Sequence, residues 1–237
     1  MNGTELGGGV VFTLGPVAFD ATVLTTLGIV VLALVVLVPA SRRLRARPGM
    51  FQTMLEGVVE LEERTIAAVA PDHARTLLPF IGGLWIFLVL ANLAGLAPGL
   101  HSPTRDLSAT AALAVLVFAS VHVYGIRYRG LRTYLRHYLA PNPIMLPFHL
   151  VSEITRTVAL AVRLFGNMMS LEMAALLVLL VAGFLVPIPI LMLHIIEALV
   201  QAYIFGMLAL VYIASGIQAQ DRAAPGNNDE SGKEVPQ

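Results

Sequence analysis

The chain alternates long apolar runs with short polar interruptions. The first run is Thr22 to Val38, the second about Leu77 to Leu96, the third about Ala109 to Gly125. A membrane-crossing helix needs about 20 mostly apolar residues, and each run reads as one crossing. From Ile144 to Val186 the sequence is almost continuously apolar. Pro187 and Pro189 interrupt it, and it resumes to about Gly216. The first of these stretches, about 42 residues, would be roughly 63 Å long as a helix, twice the roughly 30 Å of a hydrocarbon core. No Gly-Pro cluster supplies a turn inside it, so it must break or tilt steeply, on the order of 60° from the membrane normal. The part after Pro189, about 28 residues, is also longer than one upright span. The pattern predicts two long tilted helices joined at Pro187-Ile188-Pro189.

Between the first two runs lies Met50 to Ala70, where Met54, Leu55, Val58, Val59, Leu61 and Ile66 alternate with Glu56, Glu60, Glu62, Glu63 and Arg64. This is an amphipathic helix suited to lie on a membrane or a partner rather than to cross. The sequence thus predicts an all-α membrane protein of about five membrane helices plus a surface helix. The expected organisation is one polytopic domain over 1–220: N-terminal helix 22–38, surface helix 50–70, hairpin 77–125 and tilted hairpin 144–217. The Gly-, Asn-, Glu- and Pro-rich tail 221–237 is expected to be disordered.

Composition agrees. Of 237 residues 57% are hydrophobic and 13% charged, where soluble domains run near 45–50% apolar and about 25% charged. Mean hydropathy is +0.79. Lys+Arg 15 balance Asp+Glu 15, so there is no basic excess to attract nucleic acid. With no cysteine, disulfides, thiol catalysis and Cys-ligated metals are excluded. The first run has no Lys or Arg before it and Arg42, Arg43, Arg45 and Arg47 after it, the reverse of a cleaved signal peptide. Those arginines and Arg127, Arg129, Arg132 and Arg136 fall on one side, and Arg105 alone on the other. Five crossings then put the N-terminus outside and the C-terminus in the cytoplasm.

Few charges lie inside the apolar runs: Arg156, Arg163, Glu153, Glu172 and Glu197, joined by His194. An intramembrane charge costs about 2.5–3.5 kcal/mol on insertion scales and is a functional candidate by default. Glu153 and Arg156, three apart, could also form a structural pair near a helix end. At about 100° per residue, Arg156, Arg163, Asn167 and Ser170 fall within about 60° of one another, and Glu172 lies about 180° from Arg163. On the next helix His194, Glu197 and Gln201 share a face within about 60°. Antiparallel packing through the proline link would bring Glu172 near the level of His194 and Glu197. Arginine does not deprotonate in proteins and can act only as a fixed charge. Histidine and buried glutamate can relay protons. A cation path interrupted by a fixed arginine passes ions only if something else carries them around it.

These residues form a known pattern. Arg163-Leu164-Phe165-Gly166-Asn167-Met168, nine residues before Glu172, resembles the signature of subunit a of F-type ATP synthases. His194 followed seven residues later by Gln201-Ala202-Tyr203-Ile204-Phe205 resembles that family's last helix. Asn92 to Gly99 resembles its NLxGLxPG turn, and Ser102-Pro103-Thr104-Arg105-Asp106-Leu107 with Thr110 the segment opening the next helix. The resemblance covers about Leu77 to Ser215. It implies a stator subunit packed against a rotating ring of c subunits. Ions enter by one half-channel, neutralise a ring carboxylate, ride the ring and leave by a second half-channel. On this reading Arg163 is the ion gate, and Asn167, Ser170, Glu172, His194, Glu197 and Gln201 line the half-channels. Asn92, Asp106, His149, Glu153 and Arg156 are candidate polar groups for the way in or out.

The resemblance further implies a c ring, a b-type peripheral stalk, the remaining F-type subunits and membrane lipid as partners. It implies a multi-pass location in a bacterial cell (inner) membrane, no cofactor, no resident metal and no catalytic chemistry of the chain's own. Three positions depart from the family pattern: Glu197 is an added carboxylate, His149 stands where many members have Glu, and Thr157 where many have Pro. They bear on the exit path and on ion choice. Protons are the default cargo, and sodium is open because Glu172, Glu197, Ser170 and Gln201 offer oxygen ligands. The alternative reading is a stand-alone secondary transporter with a midplane ion site, which the unlike halves of the chain argue against. His194-Ile195-Ile196-Glu197 is too thin a ligand set for a metalloenzyme.

Overall fold

The computed structural model describes residues 10–14, 17–42, 49–96, 102–130, 146–182 and 187–222. Six α-helices dominate the described residues: α1 (Ala21–Arg42), α2 (Met50–Val69), α3 (Ala74–Ala94), α4 (Leu107–Arg129), α5 (Leu146–Ala182) and α6 (Pro187–Arg222). Short 3-10 turns at Pro71–His73 and Pro103–Arg105 lead into α3 and α4. Among the described residues five helices are long and apolar enough to cross a membrane, all of these but α2. The chain is an all-α membrane protein. One feature has no counterpart in the apolar pattern: an antiparallel pair of strands, β1 (Val10–Leu14) and β2 (Val17–Asp20), with Leu14 opposite Val17 and an irregularity between Val10 and Phe12. It runs directly into α1. Asp221 and Arg222 close α6, and the rest of the 221–237 tail lies outside the described residues. So do Arg132 and Arg136, whereas Arg127 and Arg129 lie in the last turn of α4.

Helix ends follow local chemistry. Asp106 caps α4, its Oδ1 accepting from the Ser108 amide at 2.9 Å, and its Oδ2 accepts from Thr22 Oγ1 of α1 at 3.1 Å. Gly130 ends α4 at φ 78°, in the left-handed region that favours glycine, and its N–H donates to the Ile126 carbonyl. Helix α5 has 37 residues and α6 has 36, each about 55 Å long.

The core forms where α3, α4, α5 and α6 meet. Leu77, Ile81, Leu84 and Leu88 present one face of α3. Leu160, Leu164 and Met168 face inward from α5, and Ala202, Phe205, Ala209 and Ile213 from α6. Helices α3 and α6 are tightly fitted at Gly206, where an added Cβ would lie 1.9 Å from Trp85 Nε1. Trp85 donates to the Tyr203 carbonyl at 3.3 Å and stacks on the Tyr203 ring, 6.1 Å between centroids. Helix α1 stays at the edge, with only Ile29 buried.

Helix α2 packs on α3 with an unexpected face. Its apolar Met54, Val58, Val59 and Leu61 remain exposed, as suits a helix lying on lipid. Ile66 is buried, and so is Glu62, at 9% exposure. Glu62 thus leaves the polar face on which the sequence pattern set it. Its Oε2 occupies the space a side chain at Gly82 would fill, 2.6 Å from the Cβ of such a residue. Burial raises its pKa from 4.5 to about 7. Between those values the docked form holds a proton that the undocked form has lost, so attachment of α2 weakens as pH rises and its cost is complete above about 7. Hydrogen exchange of residues 50–69 is expected to speed up across that window. Glu62→Gln should remove the pH dependence and keep the low-pH protection at all pH values. Unchanged pH dependence in the variant would mean that another group is responsible.

Candidate functional site

The polar residues of α5 and α6 divide between two settings. Asn167 Nδ2 donates to Gln201 Oε1 at 2.7 Å, joining the two helices. Gln201 is 2% exposed. This contact fixes the register of the antiparallel pair. Five residues on from Asn167 is Glu172 and five back from Gln201 is Ile196, so helices of equal rise set the Glu172 backbone level with His194 and Glu197. The Glu172 side chain lies outside the described residues. Both His194 and Glu197 are half-buried. The Nε2 atoms of His194 and Gln201 are buried and have no hydrogen-bond partner among the described residues. A buried polar atom without a partner costs about 1–3 kcal/mol, so both are places where a polar guest would be held.

Arg163 stands in the second setting. The inner side of α5 at this level is Leu160, Leu164 and Met168, all at most 2% exposed. Arg163 is exposed, as are Val158 and Val162 beside it, and Ser170 two turns on. On α6, Leu199, Val200, Tyr203 and Ile204 are exposed as well. Among the described residues no carboxylate lies within ion-pair distance of Arg163. A permanent cation therefore projects from a broad apolar surface, one turn from the part-buried Asn167–Gln201 contact.

The remaining candidates lie elsewhere. Asn92 is fully buried, with both ends of its amide engaged: Nδ2 donates to the Ala198 carbonyl of α6 at 3.1 Å, and Oδ1 accepts from Thr104 Oγ1 at 2.8 Å. Ser102 Oγ lies 2.6 Å from Thr104 Oγ1 and donates to the Ala91 carbonyl at 2.8 Å. This network clamps the link between α3 and α4 onto α6. Asp106 is the α4 cap described above. Glu153 faces His122 of α4, Nε2 to Oε2 3.5 Å, and the Arg156 guanidinium sits 4.4 Å from the centroid of the Tyr212 ring. His149 lies in the first turn of α5, and its side chain is outside the described residues.

A chain of this architecture, with such a cation on its α5 surface, is readily compared with known proteins. The family profile described as ATP synthase A chain matches residues 22–214. The chain belongs to the ATP synthase subunit a family. It is 61% identical over 220 residues to ATP synthase subunit a 2 of Pelobacter propionicus, covering 93% of this chain and 96% of that one. It is 63% identical over 205 residues to ATP synthase subunit a 1 of Hahella chejuensis, covering 86% and 87%. With ATP synthase subunit a of Legionella pneumophila strain Paris it shares 52% over 218 residues, covering 92% and 95%. As a subunit a of the F-type enzyme, the chain is a multi-pass protein of the membrane sector. It serves ATP synthesis and ion transport, with the rest of the complex as its partner.

Two acid–base groups, one half-buried and one buried, gave little or no sign in the sequence. His122 is half-buried within α4, and its sequence signal was a titratable side chain within an apolar run. Glu62 gave no signal at all, because four neighbouring carboxylic and guanidinium groups of α2 mask it in the pattern.

Proposed function

We propose that the chain provides two aqueous half-channels separated by Arg163 and passes H+ to and from carboxylates on a ring of c subunits. The observation that carries this reading is the exposed, permanently charged Arg163 on an apolar surface of α5. Lipid would make such a position costly, whereas a passing ring carboxylate would pair with it. Arg163 attracts the ionised ring site, displaces its ion and blocks direct flow between the half-channels. Asn167, Glu172, His194, Glu197 and Gln201 line a half-channel, a role supported by the Asn167–Gln201 contact and by the two unpartnered Nε2 atoms. Ser170, two turns from Arg163 on the exposed side, belongs to the ring-facing rim. Asn92 and Asp106 hold the scaffold around the path.

Helices α5 and α6 lie strongly tilted against the ring, since about 55 Å of helix exceeds a core of about 30 Å. The basic ends near Arg42 and Arg127 face the cytoplasm, the N-terminus is outside, and the membrane is the bacterial inner membrane. A b-type peripheral stalk holds the subunit still. Chemistry on nucleotide belongs to other subunits. Protons are the cargo favoured by His194 and its neighbouring carboxylates. Sodium fits the oxygen-rich set if the ring supplies further ligands.

The native chain has no cysteine, so single cysteines report cleanly. In the whole enzyme, Val162→Cys, at a position 54% exposed, should cross-link to a cysteine on the outer face of the c ring. Leu160→Cys, at a position 2% exposed, should not. Equal labelling of the two, or no ring contact from Val162, would reject this surface as the rotor face.

A further inference from the structure

His122 of α4 and Glu153 of α5 form a cross-helix pair that the ion-path reading has not used. His122 Nδ1 lies 2.9 Å from the Phe118 carbonyl. A carbonyl only accepts, so Nδ1 carries the hydrogen. The imidazole also packs against the Phe118 ring, with centroids 4.4 Å apart. This leaves Nε2 directed at Glu153 Oε2, 3.5 Å away. A neutral ring with its hydrogen on Nδ1 presents a lone pair at Nε2, and a carboxylate presents lone pairs only. The contact is attractive only when the two groups together hold one proton, as imidazolium with carboxylate or as imidazole with carboxylic acid.

The side chains are 28% and 22% exposed, while the Glu153 Oε2 atom itself is buried. The pair therefore joins the interior to the surface. Glu153 precedes Arg163 by ten residues on α5, about 15 Å along the axis. It lies toward the basic end of the bundle that carries Arg127 and Arg156. The charged and titratable residues within about a turn of the pair on its own helices are His149 and Arg156 on α5 and Tyr124 and Arg127 on α4, with Tyr212 of α6 beneath Arg156.

We propose that His122 and Glu153 are a one-proton relay station between the Arg163 region and the aqueous phase at the basic end of the bundle. The inference rests on the ion-path reading above. A proton arriving on one partner displaces the shared proton toward the other. The O–H bond of the carboxylic acid breaks as the Nε2–H bond forms, giving carboxylate and imidazolium; the Nε2–H bond then breaks to water while the Nδ1–H stays on the Phe118 carbonyl, and the carboxylate takes up the next proton. No other bond changes.

The test uses the whole ATP synthase in membrane vesicles, measuring ATP-driven proton uptake and passive proton conduction against pH. Glu153→Gln is the decisive variant. Its amide can donate to Nε2 and keep α4 tied to α5, but it cannot hand on a proton. It should lower conduction at least about tenfold, the scale of a lost acid–base group, and erase the inflection of the pH profile. His122→Gln should erase the same inflection, and Glu153→Asp should restore part of the rate. A Glu153→Gln enzyme with the parent's rate and pH profile would make the pair a structural tie and overturn the relay. If Glu153→Gln fails to assemble, an unshifted profile in both Glu153→Asp and His122→Gln overturns it equally. Pumping driven by Na+ with no change of pH profile would overturn it too. Arg163→Ala measured alongside separates the two levels. If that variant pumps normally, the ion path itself is wrong. If it is inactive while the Glu153 and His122 variants match the parent, only the relay falls.

Discussion

Arg163→Ala is expected to abolish coupled ATP synthesis, by about a hundredfold or more, on the scale of losing a preorganised electrostatic group, and to open a passive proton leak through the membrane sector. The two effects share one cause. With no fixed cation on the α5 surface, a ring carboxylate can pass in its charged form, and ions can cross between the half-channels without moving the ring. The loss cannot be assigned to folding. Arg163 is exposed and has no carboxylate partner among the described residues, and removing a charge from a spanning helix favours insertion. The variant should therefore assemble at normal levels. Arg163→Lys should restore activity only in part, because ammonium lacks the planar fork and can lose its proton. The measurements are ATP synthesis and ATP-driven proton uptake in inverted vesicles, with conduction read after removal of the catalytic head. Normal ATP-driven pumping by the alanine variant would falsify the gate.

Gly206→Ala is expected to have the largest effect on stability. A Cβ there would meet Trp85 at 1.9 Å from Nε1, 2.3 Å from Cδ1 and 2.6 Å from Cε2. The indole cannot swing away freely. It is 6% exposed, donates to the Tyr203 carbonyl and stacks on the Tyr203 ring. Helices α3 and α6 would have to separate or the indole leave its site, at a cost of about 1–3 kcal/mol or more. Because Asn167–Gln201 lies little more than a turn away on α6, proton transport should fall with it. Gly83→Ala is the control: an added Cβ meets nothing within 4 Å there, and alanine favours a helix over glycine by up to about 1 kcal/mol. Thermal melting of the purified complex reads both. Equal melting temperatures for the two variants would mean that the α3–α6 crossing is looser than the geometry shows.

The apolar runs made five spanning helices legible, because a helix that crosses lipid must satisfy its backbone internally and cover it with some 20 apolar residues. That requirement is local to each run, and α1, α3 and α4 lie where their runs do. Arg163 was legible for the same reason, since a charge inside an apolar run stands out without any partner. The N-terminal strands were not, because their residues merge with the apolar approach to α1.

What the linear order of residues determined by itself is the set of spanning helices, the amphipathic surface helix and the one arginine that cannot lose its charge. Only the tertiary structure decided which polar groups meet: Asn167 with Gln201, His122 with Glu153, Asn92 with Thr104, and Glu62 against Gly82. The physical reason is that burial pattern depends on one helix at a time. A contact between helices depends on crossing position and axial register, which small residues such as Gly206 and Gly82 set by letting backbones and side chains come close.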